Sequence, residues 1–159
     1  MRSRRKLETL YRAYGPTVLR RARAILRNET EAQEVLQDLF TGFAANPGPL
    51  LQAQSTVGFL YQATTHRCLN TMRNRRNRLR LIDARACELA PPKVDGTPEL
   101  RTLAHEVLLQ LDDESAKAAI FYYVDGMTHA EIASMLGCSR RHVGNLLQRL
   151  PSQAAEEPR

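Results

Sequence analysis

The sequence predicts an all-α protein of two small helical domains, spanning residues 1–86 and 101–159 and joined by a flexible linker at 87–100. Three observations lead there. Apolar residues recur every three or four positions through most of the chain, which is the period of one buried helical face. Hydrophobic residues make up 43% but aromatics only 6%, with no tryptophan, so the core is aliphatic and alanine-rich, as helical proteins often are. The stretch ELAPPKVDGTPEL, Glu88 to Leu100, sets three prolines and a glycine among few apolar groups and cannot bury itself. A length of 159 residues suits one ordinary domain or two small ones.

The first helix is marked by Leu7, Leu10, Tyr14, Val18, Ala22 and Ile25, with a kink or restart expected at Gly15-Pro16. Its opposite face holds Arg12, Arg20, Arg21, Arg23 and Arg27, read as a solvated basic surface. Asn28 is placed to cap the next helix, about Glu29 to Phe43. There Ala32, Val35, Leu39 and Phe43 share one side, and Glu31, Glu34 and Asp38 form an acidic ridge on another. Asn46 to Gly58 has too many turn formers to continue the helix and reads as a loop. A further helical segment, FLYQATTHRCLNTMRNRRNRLRLIDAR, opens on Phe59 and Tyr61 and ends basic, with seven arginines between Arg67 and Arg85 against the single acid Asp83.

Beyond the linker, Leu103, Val107, Leu108 and Leu111 mark one short helix, and Ala119, Ile120, Tyr123 and Val124 another that ends at Asp125-Gly126. The next 25 residues, GMTHAEIASMLGCSRRHVGNLLQRL, hold two helix starts separated by one glycine. Thr128-His129-Ala130-Glu131 has the Thr-x-x-Glu pattern of a capping box, in which two side chains satisfy otherwise orphaned amides. Ile132, Ala133 and Leu136 supply the buried side, and Gly137 can take the left-handed conformation that stops the helix. Ser139 then caps a second helix with Val143, Leu146 and Leu147 inward and Arg140, Arg141, Asn145 and Gln148 outward, before Pro151 ends it. Two helices joined by a tight glycine-containing turn are a helix-turn-helix, whose second member presents its N-terminal residues to base edges in the major groove. Arg140 and Arg141 suit guanine edges or phosphates, and Asn145 suits adenine.

The net charge of +6 favours polyanionic partners, and twenty arginines against three lysines suit phosphate and guanine recognition, although a GC-rich coding bias produces the same excess. Cys68, Cys87 and Cys138 are odd in number, widely spaced and lack a CxxC pair, which argues against a disulfide framework or zinc ribbon and favours a reducing cytoplasm. The trio His129, Cys138 and His142 sits in the helix-turn-helix, so metal is not expected. No apolar run approaches the length of a membrane span, and Arg2 to Lys6 is not followed by a signal-peptide core. A cytoplasmic, non-inserting protein is therefore expected. The four histidines have no Ser, Cys or carboxylate partner at motif spacing, and no glycine-rich phosphate loop is present, so neither a catalytic residue nor a cofactor is assigned.

Three stretches, in order and flanking the linker, resemble the sigma-70 family of RNA polymerase sigma factors of the extracytoplasmic-function type: AQEVLQDLFTGF (Ala32 to Phe43), FLYQATTHRCLNTMRNRR (Phe59 to Arg76) and DGMTHAEIASMLGCSRRHVGNLLQRL. They are similar to regions 2.2, 2.3 with 2.4, and 4.2 respectively. The resemblance implies core RNA polymerase and promoter DNA as partners, and admits an anti-sigma factor. It makes Glu34, Gln37, Asp38 and Phe40 polymerase contacts. Phe59 and Tyr61 would pack or stack at the minus-10 element, with His66, Arg67, Arg73, Arg75 and Arg76 on the same DNA-facing segment. Ser139, Arg140, Arg141, Asn145, Gln148 and Arg149 would read the minus-35 element. Three departures stand out: Phe59 replaces a usual Trp, His66 a common Asn, and His142-Val143-Gly144 a frequent Thr-Val-Lys. Gly144 places a residue costing about 0.8 to 1 kcal/mol relative to alanine inside the recognition helix. Two other readings remain at this level: a polymerase-independent helix-turn-helix regulator, and an interaction protein that has lost DNA binding.

Overall fold

The structure, a computed structural model, describes residues 2–83 and 98–150. All regular elements among these residues are helical, and the chain divides into two compact units, Met1–Asn74 and Arg75–Arg159. The division falls inside a long helix, upstream of the expected linker. Residues 87–97 of that linker, together with Arg85 and Pro151, lie outside the described residues.

In the first unit, α1 (Arg2–Leu26) runs unbroken through Pro16, so the restart expected there does not occur. Its apolar face keeps its phase across the proline, and packing of both halves against α2 (Glu29–Ala45) outweighs the lost hydrogen bond. The reversal between them is specified residue by residue. Arg27 adopts a left-handed backbone (φ 54°), Asn28 Oδ1 accepts from the Glu31 amide at 3.0 Å, and Arg23 holds Glu29 through two contacts of 2.6 Å. Those donors, helped by Gln33, keep the Glu29 carboxyl below its ordinary value.

Within the expected Asn46 to Gly58 loop the structure has a short helix, α3 (Gly48–Gln52), that drives Leu50 into the core. Prolines in a first helical turn are pre-set for helix, and Leu50 gives that turn something to bury. Ser55 Oγ then accepts from the Gly58 amide at 3.1 Å and opens α4 (Thr56–Asp83). The core gathers Val18, Leu36, Phe40, Leu50 and Leu60, flanked by Tyr14, Phe43 and Phe59. Rings continue edge to face from Tyr11 to Phe40 (4.9 Å) and Phe40 to Phe43 (5.7 Å).

One member of the expected solvated arginine face is buried. Arg21 is 5% exposed, donates to Thr65 Oγ1 at 2.8 Å and lays its guanidinium over the Tyr61 ring at 4.3 Å. Its position one residue before Ala22 turns it toward α4, where a hydroxyl and an aromatic face replace water. Cys68 is also fully buried on α4, and burial pushes its thiol up to about 12, against a smaller opposing effect of Arg21.

The second unit contains α5 (Pro98–Gln110), α6 (Asp113–Ala119), a π-helical turn (Ile120–Val124), α7 (His129–Leu136) and α8 (Arg140–Gln148). α5 begins at Pro98, inside the segment expected to be linker, because a proline is tolerated where its missing N–H would be unsatisfied anyway. Leu103, expected to be buried, is 61% exposed. Tyr123 and Val124 are corrected too, at 66% and 44% exposed. The π turn, with Asp125 N–H reaching back to Ile120 O at 3.2 Å, winds more residues per turn and rotates the stripe so that Phe121 enters the core instead. That core holds Ala118, Phe121, Ile132, Ala133, Val143 and Leu146.

Candidate nucleic-acid interface

Both faces of the capping box form at the start of α7. Thr128 Oγ1 accepts from the Glu131 amide at 3.2 Å, and the Thr128 amide donates to Glu131 Oε2 at 2.7 Å. Gly137 closes the helix with φ 68° and ψ 37°, a conformation costly for side-chain-bearing residues. Four residues after Leu136 α8 begins, with Ser139 Oγ accepting from the His142 amide at 3.1 Å. Caps and glycine therefore set the angle between the helices, while Ile132 and Ala133 meet Val143 and Leu146 in one core.

That packing decides what α8 leaves outside. Arg140, Arg141, Asn145, Gln148 and Arg149 are exposed, as is the capping Ser139, whereas Val143 and Leu146 are sealed. This divides donors and acceptors from apolar groups along a single helix, as groove insertion requires. Two acids on or beside α6 touch it: Glu114 lies 3.3 Å from His142 Nε2, and Asp112 lies 3.5 Å from Arg149 Nη1. Asp112 also accepts from the Ser115 amide at 3.2 Å, and its carboxyl sits below its usual value chiefly through the Ser115 side chain, with smaller contributions from that amide and from Arg149. Composition gave no warning of either pairing, since both depend on how α6 packs against α8. A Cβ at Gly144 would meet nothing within 4 Å.

In the first unit α2 exposes Glu34, Gln37 and Asp38. Phe40 needs correction as a partner contact: at 6% exposed it is a core residue, ringed by Tyr11 and Phe43, and its part is to hold α2 in place. The ridge touches the expected DNA segment directly, because Asp38 Oδ2 lies 3.3 Å from Arg67 Nη2. Of the two aromatics, Phe59 packs on Phe43 at 5.8 Å and is half-buried, while one face of Tyr61 is taken by Arg21. Arg73, Arg75 and Arg76 are half-buried on the same helix.

Sequence reasoning missed Asn70. Its Oδ1 accepts from Arg73 Nη1 at 3.4 Å, and its Nδ2 stands 3.3 Å from Nε2 of the exposed His66. The signal was available, since residues 66, 70 and 73 share one face by helical spacing.

A helix-turn-helix with an exposed basic and amide-bearing second helix, in a chain that also carries an arginine-rich helix, defines the class as a helical, sequence-reading DNA-binding protein. Comparison with known families narrows this. The profile of Sigma-70 region 2 matches residues 10–78, and that of Sigma-70, region 4 matches residues 101–150. The chain belongs to the sigma-70 family of RNA polymerase sigma factors, with the region 2 and region 4 pairing of the extracytoplasmic-function type. It is a sigma subunit that partners core RNA polymerase and promoter DNA in directing transcription initiation. The fold is similar to that of the sigma factor RpoE, solved in complex with the anti-sigma factor NepR from Bartonella quintana, at 16% identity, TM-score 0.55 and 95% coverage of both chains. No curated protein sequence matches the chain. Among the described residues no helix is long and apolar enough to cross a membrane.

Proposed function

We propose that the two units divide promoter reading between them, the first at the minus-10 element and the second at the minus-35 element. The observation that carries this is the exposed set on α8, Arg140, Arg141, Asn145 and Gln148, presented by a helix-turn-helix whose three caps are all formed. In the major groove Arg140 or Arg141 would read guanine and Asn145 adenine, while Arg149 would grip phosphate in competition with Asp112. On α4, half-buried Tyr61, backed by Arg21, would stack on a base, His66 and Arg67 would meet base edges, and Arg73, Arg75 and Arg76 would follow the melted strand. Glu34, Gln37 and Asp38 would meet a basic surface of core polymerase.

In this reading the chain is a binding subunit that performs no chemistry of its own and works in the cytoplasm beside the polymerase. The fold it shares with a sigma factor crystallised with its anti-sigma partner supports regulation by a protein of that kind here as well.

Reconstitution tests the assignment. Core polymerase with this chain should give promoter-dependent transcripts, and Arg140→Ala or Arg141→Ala should lose roughly 1 to 3 kcal/mol of binding and shift base preference wherever the side chain reads a base. Specific duplex binding by the chain alone, with no effect on core polymerase, would instead establish a polymerase-independent regulator.

A further inference from the structure

We infer that Asn70 is a positioning residue that fixes the tautomer of His66, so that His66 presents an N–H donor to the promoter and selects against cytosine on the major-groove edge. The inference rests on the promoter-reading role proposed for α4.

Arginine can only donate hydrogen bonds. Arg73 Nη1 lies 3.4 Å from Asn70 Oδ1, so the oxygen end of the amide faces the arginine and the orientation of the amide is settled by its partner. The amide nitrogen is thereby turned to His66, 3.3 Å from Nε2. An amide nitrogen also only donates, so Nε2 must accept and the ring proton resides on Nδ1. His66 is exposed, and no other described residue hydrogen-bonds to it. The donor that remains, Nδ1–H, is what the side chain offers to DNA.

A fixed donor discriminates between bases. On the major-groove edge guanine offers N7 and O6, adenine N7 and thymine O4, whereas cytosine offers only its amine. A histidine free to exchange tautomers would accept from that amine as readily as it donates elsewhere. Asn70, held in turn by Arg73, removes that choice, so specificity at this position belongs to the triad of side chains and not to His66 alone.

Asn70→Asp supplies the test because it reverses the logic. A carboxylate still accepts from Arg73 but must also accept from His66, which would move the ring proton to Nε2 and leave Nδ1 as an acceptor. At about pH 8, above the ordinary histidine range, long-range proton–nitrogen NMR of the full chain should show His66 as the Nδ1–H form in the wild type and as Nε2–H in N70D. An Nε2–H wild-type ring overturns the inference whatever the polymerase does. Holoenzyme transcription from a promoter library randomised across the minus-10 region gives the functional arm. Wild type should disfavour cytosine at one position by roughly five- to tenfold, the worth of about one hydrogen bond. N70D should favour cytosine there, and His66→Ala should level all four bases in either background. A position that N70D merely levels, or N70D and H66A acting at different positions, refutes it. Absence of any promoter-dependent transcript from the wild type would count against the promoter-reading role, with the NMR result still deciding the tautomer.

Discussion

Arg21 is the residue whose removal should reveal most about how the first unit is held together. Its side chain is 5% exposed, its guanidinium lies 4.3 Å from the Tyr61 ring centre, and it donates to Thr65 Oγ1 at 2.8 Å. A desolvated cation–π contact is worth about 2 kcal/mol, and a hydrogen bond from a charged donor about 1.5 to 3 kcal/mol. Against these stands the several-kcal/mol desolvation of the guanidinium, which an apolar replacement of similar length would relieve. Arg21→Met should therefore cost no more than about 1 kcal/mol. Arg21→Ala leaves both the hole and the lost partners, and should cost about 3 kcal/mol.

Cys68 supplies the reporter, because it is fully buried on α4, the helix that carries Tyr61 and Thr65, and its thiol is pushed up to about 12. Thiol labelling of Cys68 across a urea series, read by peptide mass spectrometry, follows the opening of this unit alone. In a double-mutant cycle, Arg21→Met with Tyr61→Leu should show a coupling of about 1 kcal/mol or more. Coupling inside the additivity error of about 0.3 to 0.5 kcal/mol would mean that the cation and the ring ignore each other, and the reasoning would fail.

Other outcomes follow from the helix-turn-helix and the ridge. Gly144→Ala should stabilise the second unit by about 0.8 to 1 kcal/mol in thermal unfolding, since α8 is helical there and an added Cβ meets nothing. Gly137→Ala should instead destabilise it by about 1 kcal/mol despite equally open space, because φ 68° is unfavourable to any residue with a Cβ. Thr128→Ala, which breaks the capping box, should cost about 1 kcal/mol in the same assay. Asp38→Asn should change stability by less than about 1 kcal/mol, because its ion pair with Arg67 is exposed, yet should weaken capture of core polymerase in a pull-down.

Local signals carried far in the second unit. The capping box, Gly137 and Ser139 each declare their conformation through short-range chemistry, and the structure uses all three as read. Features that depend on distant packing were not legible. Nothing near Arg21 announces that Thr65 and Tyr61, forty or more residues away, will make burial tolerable. The π turn displaced the apolar stripe at Tyr123 and Val124 because periodicity assumes a constant pitch. Phe40 illustrates a third limit: a motif says that a residue matters without saying whether it faces a partner or the core. Burial answers in favour of the core.

This chain tells core RNA polymerase where to begin. Mapping the 5′ ends of transcripts made on genomic DNA by core polymerase, with and without the chain, tests this role most directly. New, discrete start sites that share two upstream sequence elements at constant spacing are expected, and should be lost in an Arg140→Ala, Arg141→Ala double variant. An identical set of ends with and without the chain would contradict it.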